Sequence, residues 1–233
     1  MQFTKLFGHK SKFEKFTKMG HDSSVLLLAL VEDILDLSKI EAGTFKITEG
    51  AFNLADLINE VNDLFQYQCE QKHIEVDNYI DEVFLNTKII SDKQRIRQIL
   101  LNLLSNSLKF TFEGTIGIKA KLIDYSGDPM VQICVEDTGI GIKDEQKNRL
   151  FKLFSTMSEY QMNPNGTGLG LTICRKYLDK LGGSIWAESE YGKGTLMTFN
   201  FPFKTEKGIE KKSKFFLNKR KSSFNSFELE PEF

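Results

Sequence analysis

The sequence has few cysteines: there are three among 233 residues. Cys69, Cys134 and Cys174 are widely spaced, and no two of them form a CxxC pair. An odd number of cysteines at such spacings argues against both a disulfide framework and a zinc site. We therefore expect free thiols and a reducing, intracellular location.

Long apolar runs are also missing. The longest, 25–31, is followed by Glu32 and Asp33, and it is far shorter than the roughly 20 residues that a membrane helix needs. The mildly basic amino terminus lacks a small-residue cleavage site after an apolar core, so we do not interpret it as a secretory signal. We expect no direct membrane contact in this chain, and a membrane anchor of a parent protein would lie in another segment.

Neither sign of charge is in excess. Lysine and arginine total 31 and aspartate and glutamate total 32, which gives a formal net charge of −1. A balanced charge provides no electrostatic reason to bind a polyanion. We therefore expect no nucleic-acid partner.

Residues 21–42 have the apolar spacing of a single amphipathic helix. The apolar residues recur every three or four positions, and Gly43 follows as a helix terminator. A stripe this wide needs a partner helix, and residues 1–20 offer none of comparable quality. The helix therefore looks like one half of a bundle. The residues that define the stripe are Leu27, Leu30, Ile34 and Leu37.

After Gly43 the pattern changes to short β-rich runs mixed with helical segments, which predicts a compact α/β layer domain. Asn53 and Asp92 stand where two helices should begin, as side chains that accept hydrogen bonds from free backbone amides. The predicted strands are 44–47, 74–80, 115–123, 130–136, 184–189 and 195–201, and the predicted helices are 53–72, 92–110, 144–151 and 169–181.

The predicted helix 92–110 carries a polar stripe beside its apolar face. Gln98, Asn102, Asn106 and Lys109 recur every three or four residues, so they share one side of the helix. One interpretation is an ordinary solvated face. The other is a binding surface, which the rest of the chain favours.

Glycine-rich runs provide the second signal. DTGIGI begins at Asp137 directly after a predicted strand, and GTGLGL begins at Gly166 and opens a predicted helix. Glycines permit tight turns and close approach of a ligand, and free amides at a helix start bind anions. Taken alone, one such run is weak evidence, and GKGT at Gly192 is equally consistent with a hairpin turn.

Together these motifs resemble those of sensor histidine kinases of the hybrid type, in the order found in that family. The similarity covers roughly residues 24–203. It implies a two-layer α/β (α+β) sandwich of the histidine-kinase and gyrase-type ATPase class, preceded by one long amphipathic dimerisation helix. The motifs are DLSKIEAG from Asp36, NLLSNSLKFT from Asn102, DTGIGI from Asp137, FKLF from Phe151, GTGLGL from Gly166 and GKGT from Gly192.

The resemblance also implies a site for ATP and Mg²⁺ between the helix 92–110 and a lid spanning about 143–168. Asp137 would contact adenine, and Asn106 would bind Mg²⁺. Asn102 and Lys109 would contact phosphate and act as the catalytic pair. Phe110 would line the site, and Phe151 and Phe154 would either anchor the lid or be ordinary core aromatics. The other implied ATP contacts are Gly139, Gly141, Ile142, Gly166, Thr167, Gly168, Leu169, Gly170 and Thr195.

The implied organisation has three parts. Residues 1–43 would be the remnant of a dimerisation and phosphoacceptor region, 44–203 the ATP-binding catalytic domain, and 204–233 a flexible charged tail. A homodimer would form through residues 24–41. The other implied partners are a histidine-bearing dimerisation domain and the receiver domain of a response regulator.

The phosphate-accepting histidine is the part of the family pattern that is hard to find. His21 precedes Asp22, but the proline that follows in the family motif is missing, and His9 and His73 lack the adjacent acid. His21 therefore matches the motif only in its adjacent acid, and we expect the acceptor to lie outside this chain.

Three functions remain open at this point. The favoured one is a histidine protein kinase that phosphorylates a histidine supplied from elsewhere. Gyrase-type ATPases carry a glutamate general base where this chain has Asn102, which disfavours a slow ATPase. The segment 155–165 contains no Lys or Arg for the terminal phosphate, although Lys152 is a possible substitute. This leaves a non-catalytic Mg-ATP-binding regulator as the third possibility.

Overall fold

The computed structural model describes residues 17, 27, 31–152 and 168–206. Helix α1 is described over 31–41 and ends at Gly43, whose backbone φ is +70°. Among the described residues, no helix has the length and apolar character to cross a membrane. The remaining helices are α2 Leu54–Gln71, α3 Glu82–Asn86, α4 Lys93–Phe110, α5 Asp144–Lys147 and α6 Gly170–Leu181.

Two sheets organise these helices. A small antiparallel sheet pairs β1 with β4, and the main sheet has the order β2-β5-β6-β8-β7, with β3 also paired to β5. Strands β2 and β3 run parallel to β5 and the other pairs of this sheet are antiparallel, so the sheet is mixed. The strands are β1 Gly50–Asn53, β2 Ile74–Val76, β3 Tyr79–Ile80, β4 Lys88–Ser91, β5 Gly114–Tyr125, β6 Asp128–Asp137, β7 Ser184–Glu190 and β8 Gly194–Pro202.

The core lies between α2, α4 and α6 on one side and the main sheet on the other. Each helix buries its apolar stripe there, as the spacing of three and four residues requires. Fully buried members of this core are Leu57, Ile58, Ile99, Leu100, Leu178, Ile118, Ile133 and Phe199. The α/β fold class predicted from the sequence is therefore confirmed.

The predicted helix starts are confirmed in detail. The Asn53 side chain accepts from the backbone amide of Asp56 at 3.0 Å, and Asp92 accepts from that of Arg95 at 3.1 Å. Asp92 also accepts from the Thr48 amide at 2.9 Å. The start of α4 is therefore fixed both by its own cap and by the segment that follows α1.

The predicted strand at 44–47 is wrong. These residues form no strand, and β1 begins only at Gly50. The segment crosses the surface as a strap in which Phe45 stacks on Tyr177, with ring centroids 5.7 Å apart. The alternation that suggested a strand comes instead from this half-buried aromatic side chain.

Other predicted boundaries also differ. The run 74–80 divides into β2 and β3, because Asn78 turns its side-chain oxygen to the Ile118 amide at 2.8 Å. The helix predicted at 144–151 ends at Lys147 and continues only as turns. The short elements α3 and β4 were not predicted.

Candidate functional site

The polar stripe of α4 lies on one side of that helix, as its spacing predicted. Asn102 and Asn106 are half-buried and one turn apart, and the Asn106 amide nitrogen donates to the Asn102 oxygen at 3.2 Å. Lys109 follows, with its ammonium 5.3 Å from the centroid of the Phe110 ring. Burial lowers the pKa of Lys109 from its ordinary value. The stripe thus presents two amides and a partly desolvated cation.

Asp137 lies at the end of β6 and is buried. Its carboxylate accepts from the Ser107 hydroxyl at 2.9 Å and from the Gly139 amide at 3.0 Å, and the backbone of Thr195 donates to it as well. Burial raises the pKa of Asp137 above its ordinary value, and these three hydrogen bonds oppose that rise. The result is a fixed, buried carboxylate beside α4.

The first glycine run, 137–142, is hydrogen-bonded to both α4 and β7. The Ile140 amide donates to the Phe110 carbonyl at 3.1 Å, and the Ile142 amide donates to the Ser189 hydroxyl at 2.9 Å. A Cβ on Gly139 would lie 2.5 Å from the Phe110 carbonyl oxygen. Only glycine fits at this crossing, so the close packing of the loop on the end of α4 explains the residue type.

The second glycine run meets the same helix. Helix α6 begins at Gly170, and a Cβ there would lie 2.1 Å from the side-chain nitrogen of Asn102. Leu169, just before it, is buried. The free amides at the start of α6 and their positive dipole end therefore face the polar stripe of α4. This is a suitable place for an anion.

The structure thus brings most of the predicted residues together. Asn102 of α4 adjoins Gly170 of α6 and accepts from Asn106, while Asp137 and its loop adjoin the end of α4. Thr195 pairs with Asp137 across β6 and β8, and its hydroxyl lies 3.0 Å from that of Ser189. Predicted residues that lie outside the described part of the chain are His21, Phe154, Gly166 and Thr167.

Two residues of the site were missed in the sequence. Ser107 was overlooked because it lies on the apolar side of α4, at a helical spacing from Leu100 and Leu103. A polar residue among these apolar positions was the sequence signal that could have identified it. Lys72 follows α2 and donates to the carbonyls of Leu108 and Thr111 at 2.5 and 3.3 Å. It therefore holds the end of α4 that carries Lys109 and Phe110, and no motif indicated this.

Ser107→Ala is expected to raise the pKa of Asp137 further. The hydroxyl donates to the ionised carboxylate, so its removal withdraws stabilisation from the charged form only. In an acid titration, the midpoint for protonation of Asp137 should therefore shift to a higher pH. The titration can be followed by the ¹³C chemical shift of the Asp137 carboxyl carbon in the nucleotide-free protein. Ser105→Ala, on the exposed side of α4, is the control, and an unchanged midpoint in Ser107→Ala would contradict the assignment.

Comparison with known proteins gives a consistent result. Residues 91–205 match the family model described as "Histidine kinase-, DNA gyrase B-, and HSP90-like ATPase". The chain is 35% identical over 192 residues to the autoinducer 2 sensor kinase/phosphatase LuxQ of Vibrio parahaemolyticus, covering 78% of this chain and 22% of LuxQ. It is 38% identical over 173 residues to the sensor protein GacS of Pseudomonas syringae, covering 72% of this chain and 19% of GacS. The chain thus spans about a fifth of the length of these relatives.

Several solved structures match this chain. Full-length ShkA in complex with AMPPNP matches with a TM-score of 0.66 at 31% identity, over 77% of this chain and 36% of ShkA. The catalytic domain of ThkA matches with a TM-score of 0.56 at 33% identity, over 68% of this chain and 96% of that domain. ThkA in complex with the response regulator TrrA matches with a TM-score of 0.56 at 29% identity, over 74% of this chain and 48% of ThkA.

A mixed sheet covered by three helices, with a polar helix stripe between two glycine runs, defines an ATP-binding domain of the class shared by histidine kinases, gyrase B and HSP90. Within that class the chain belongs to the histidine kinase family, and it contains the family's catalytic domain.

Proposed function

We propose that the chain binds Mg-ATP between α4 and α6 and transfers the terminal phosphate to a histidine that another segment or chain supplies, as a step of a phosphorelay. The observation that carries the proposal is the contact between Asn102 and Gly170. It sets the amides of the α4 stripe directly against the free backbone amides of α6. Phosphate and its metal ion need this combination of donors and oxygen ligands.

Each group has a chemical role in this proposal. The Asp137 carboxylate accepts from the exocyclic amine of adenine, which the buried position of this acid favours. The Asn106 side-chain oxygen, a hard neutral ligand, would hold Mg²⁺, which would supply positive charge beside the phosphates. Asn102 and Lys109 contact phosphate. The other proposed contacts are Phe110, Gly139, Gly141, Ile142, Gly166, Thr167, Gly168, Leu169, Gly170 and Thr195.

Transfer to a histidine is favoured over hydrolysis by the residue at position 102. An amide has no basic lone pair at neutral pH and cannot take a proton from water as a carboxylate does. A neutral imidazole is itself a nucleophile, so it needs only to be positioned in line with the terminal phosphate. The site therefore suits phosphoryl transfer better than ATP hydrolysis.

A second candidate is a regulator that binds Mg-ATP without transferring phosphate. One observation favours it: the segment 155–165 of the proposed lid contains no Lys or Arg. A cation there would neutralise the charge that develops on the transferred phosphoryl group. Without it, binding is retained more readily than turnover.

The proposed organisation follows the family. Residues 1–43 form part of a dimerisation region, 44–203 the catalytic domain and 204–233 a charged tail. Support for a homodimer comes from α1, where apolar side chains remain exposed and need a partner helix. By analogy with ThkA, a receiver domain of a response regulator is the proposed recipient of the phosphate. The exposed apolar residues are Leu27, Val31, Ile34 and Leu35.

The test is incubation with Mg-ATP labelled on the terminal phosphate, with and without a separate histidine-bearing dimerisation domain. Acid-labile label on the added domain alone is the expected result. Label on this chain that His21→Ala removes would place the acceptor within it. Saturable ATP binding with no label on either chain would favour the regulator, and phosphate release that Asn106→Ala abolishes would favour the ATPase.

A further inference from the structure

Helix α1 packs against the ATP-binding domain with the side that carries Asp33, Asp36 and the buried Ile40. Asp33 and Asp36 are 8% and 6% exposed, whereas Ile34 and Leu35 are 53% and 51% exposed. Charged side chains are rarely buried unless they are paired. The contact between the helix and the domain therefore contains two buried carboxylates beside the apolar Ile40.

Asp36 is tied to both nucleotide-site helices. Its carboxylate accepts from the Arg95 guanidinium of α4 and from the Tyr177 hydroxyl of α6, the latter at 2.6 Å. Arg95 also donates to the Tyr177 hydroxyl at 3.1 Å. The guanidinium lies 5.0 Å from the ring centroid of Phe45 and 4.9 Å from that of Tyr177. Asp36 is thus a well-paired buried anion.

Asp33, one turn earlier, is poorly paired. Its only recorded side-chain partner in the described part of the chain is Gln98, at 3.5 Å. Burial, with repulsion from Asp36 and Glu32, raises the pKa of Asp33 to about 6. Its charged form opposes the docked position of α1. The charged and titratable groups that act on Asp33 are Glu32 and Asp36 on α1 and Cys174 and Tyr177 on α6, and those that act on its neighbour Asp36 include Lys39 on α1 and Arg95 on α4.

The contact lies on the same two helices as the nucleotide site. Arg95 and Asn102 are seven positions apart on α4, and Gly170 and Tyr177 are seven apart on α6. Seven residues are two helical turns, or about 10 Å along the axis. On each helix, the residue that contacts α1 and the residue of the proposed nucleotide site therefore lie on the same side, two turns apart.

We propose that Asp33 and Asp36 form an interdomain latch, in which Asp36 holds the ATP-binding domain on the dimerisation helix through Arg95 and Tyr177, and Asp33 opposes that hold. The proposal rests on the function proposed above. A catalytic domain clamped in one position on α1 cannot swing toward an acceptor histidine. Opening of the latch is thus the conformational step that permits phosphate transfer.

The latch has a defined pH dependence. The pKa of Asp33 is raised in the docked state, so docking favours its protonated form. The unfavourable charge is present above pH about 6 and disappears as the pH falls through that value. The latch therefore closes more tightly as the pH falls from 8 to 6. Asp33→Asn should remove this dependence.

The test compares two isosteric changes with opposite expected effects. Trypsin cleavage after the exposed Lys46 reports opening, because the strap that contains it is held down by Phe45. At pH 8, Asp36→Asn should speed this cleavage about tenfold, the effect of losing a charge-assisted hydrogen bond. Asp33→Asn should slow it about fivefold, since a buried repulsive charge is removed. Glu41→Gln, at an exposed position of α1, is the control and should change nothing.

Two further readouts complete the experiment. The cleavage rate of the unmodified chain, divided by that of Asp33→Asn at the same pH, should fall as the pH is lowered from 8 to 6. Transfer of labelled phosphate to an added dimerisation domain should rise in Asp36→Asn and fall in Asp33→Asn. The latch would be overturned if the cleavage rate changed in the same direction in Asp36→Asn and Asp33→Asn. It would also be overturned if neither variant changed the cleavage rate while both kept the melting temperature of the unmodified chain. Opposite cleavage effects without any phosphate transfer would support the latch and refute the kinase function.

Discussion

Asp137→Asn is expected to lower the affinity for ATP by about 10- to 100-fold, the effect of losing a hydrogen bond to a charged group. The amide is nearly isosteric with the carboxylate and remains between Ser107 and Gly139. It replaces one acceptor oxygen by a donor, so it cannot accept from both of these groups and from an exocyclic amine. Displacement of a fluorescent ATP analogue measures the affinity.

The control for this change is Glu136→Gln, since Glu136 precedes Asp137 on β6 but points to the exposed side of the sheet. It should bind ATP as the unmodified chain does. Equal affinities for Asp137→Asn and the control, at similar melting temperatures, would show that adenine does not contact Asp137.

Asn106→Ala is expected to reduce phosphate transfer by at least about 100-fold, because a metal ion held by Asn106 would contribute several kcal/mol of charge stabilisation. It should also make ATP affinity nearly independent of Mg²⁺. Asn106 is half-buried and its amide bonds only to Asn102 among the described contacts. The fold should therefore tolerate the change. Calorimetric titration with ATP, in Mg²⁺ and in EDTA, measures the metal dependence.

Ser105→Ala, on the exposed side of α4, is the matched control for this second change. It should keep both the transfer rate and the metal dependence. If Asn106→Ala still bound ATP more tightly in Mg²⁺ than in EDTA, to the same degree as the control, the metal would have to be held by other groups.

The helix starts and the residues of the candidate site each carry a local signal in the sequence. Asn53 and Asp92 are short polar side chains at helix starts, and both cap their helices in the structure. The stripe of Asn102, Asn106 and Lys109 follows from helical periodicity alone. Glycines at tight crossings are similarly visible in a sequence, because no other residue fits there.

The contact of α1 with the domain was not predictable in the same way. Asp33 and Asp36 have the spacing of a solvated helix face, and nothing local indicates that Arg95 and Tyr177 meet them. The segment 44–47 was predicted as a strand for the same reason. The half-burial of Phe45 depends on its contact with the Tyr177 ring, which the tertiary fold brings about. Long-range polar and aromatic contacts leave no periodic pattern in the chain.

The central claim, that Mg-ATP binds between α4 and α6 beside Asp137, is tested most directly by hydrogen–deuterium exchange with and without Mg-AMPPNP. We expect the nucleotide to slow exchange in 102–110, 137–142 and 168–172, and to leave β3 and α3 unchanged. Protection confined to other segments, or no protection at saturating nucleotide, would contradict the account.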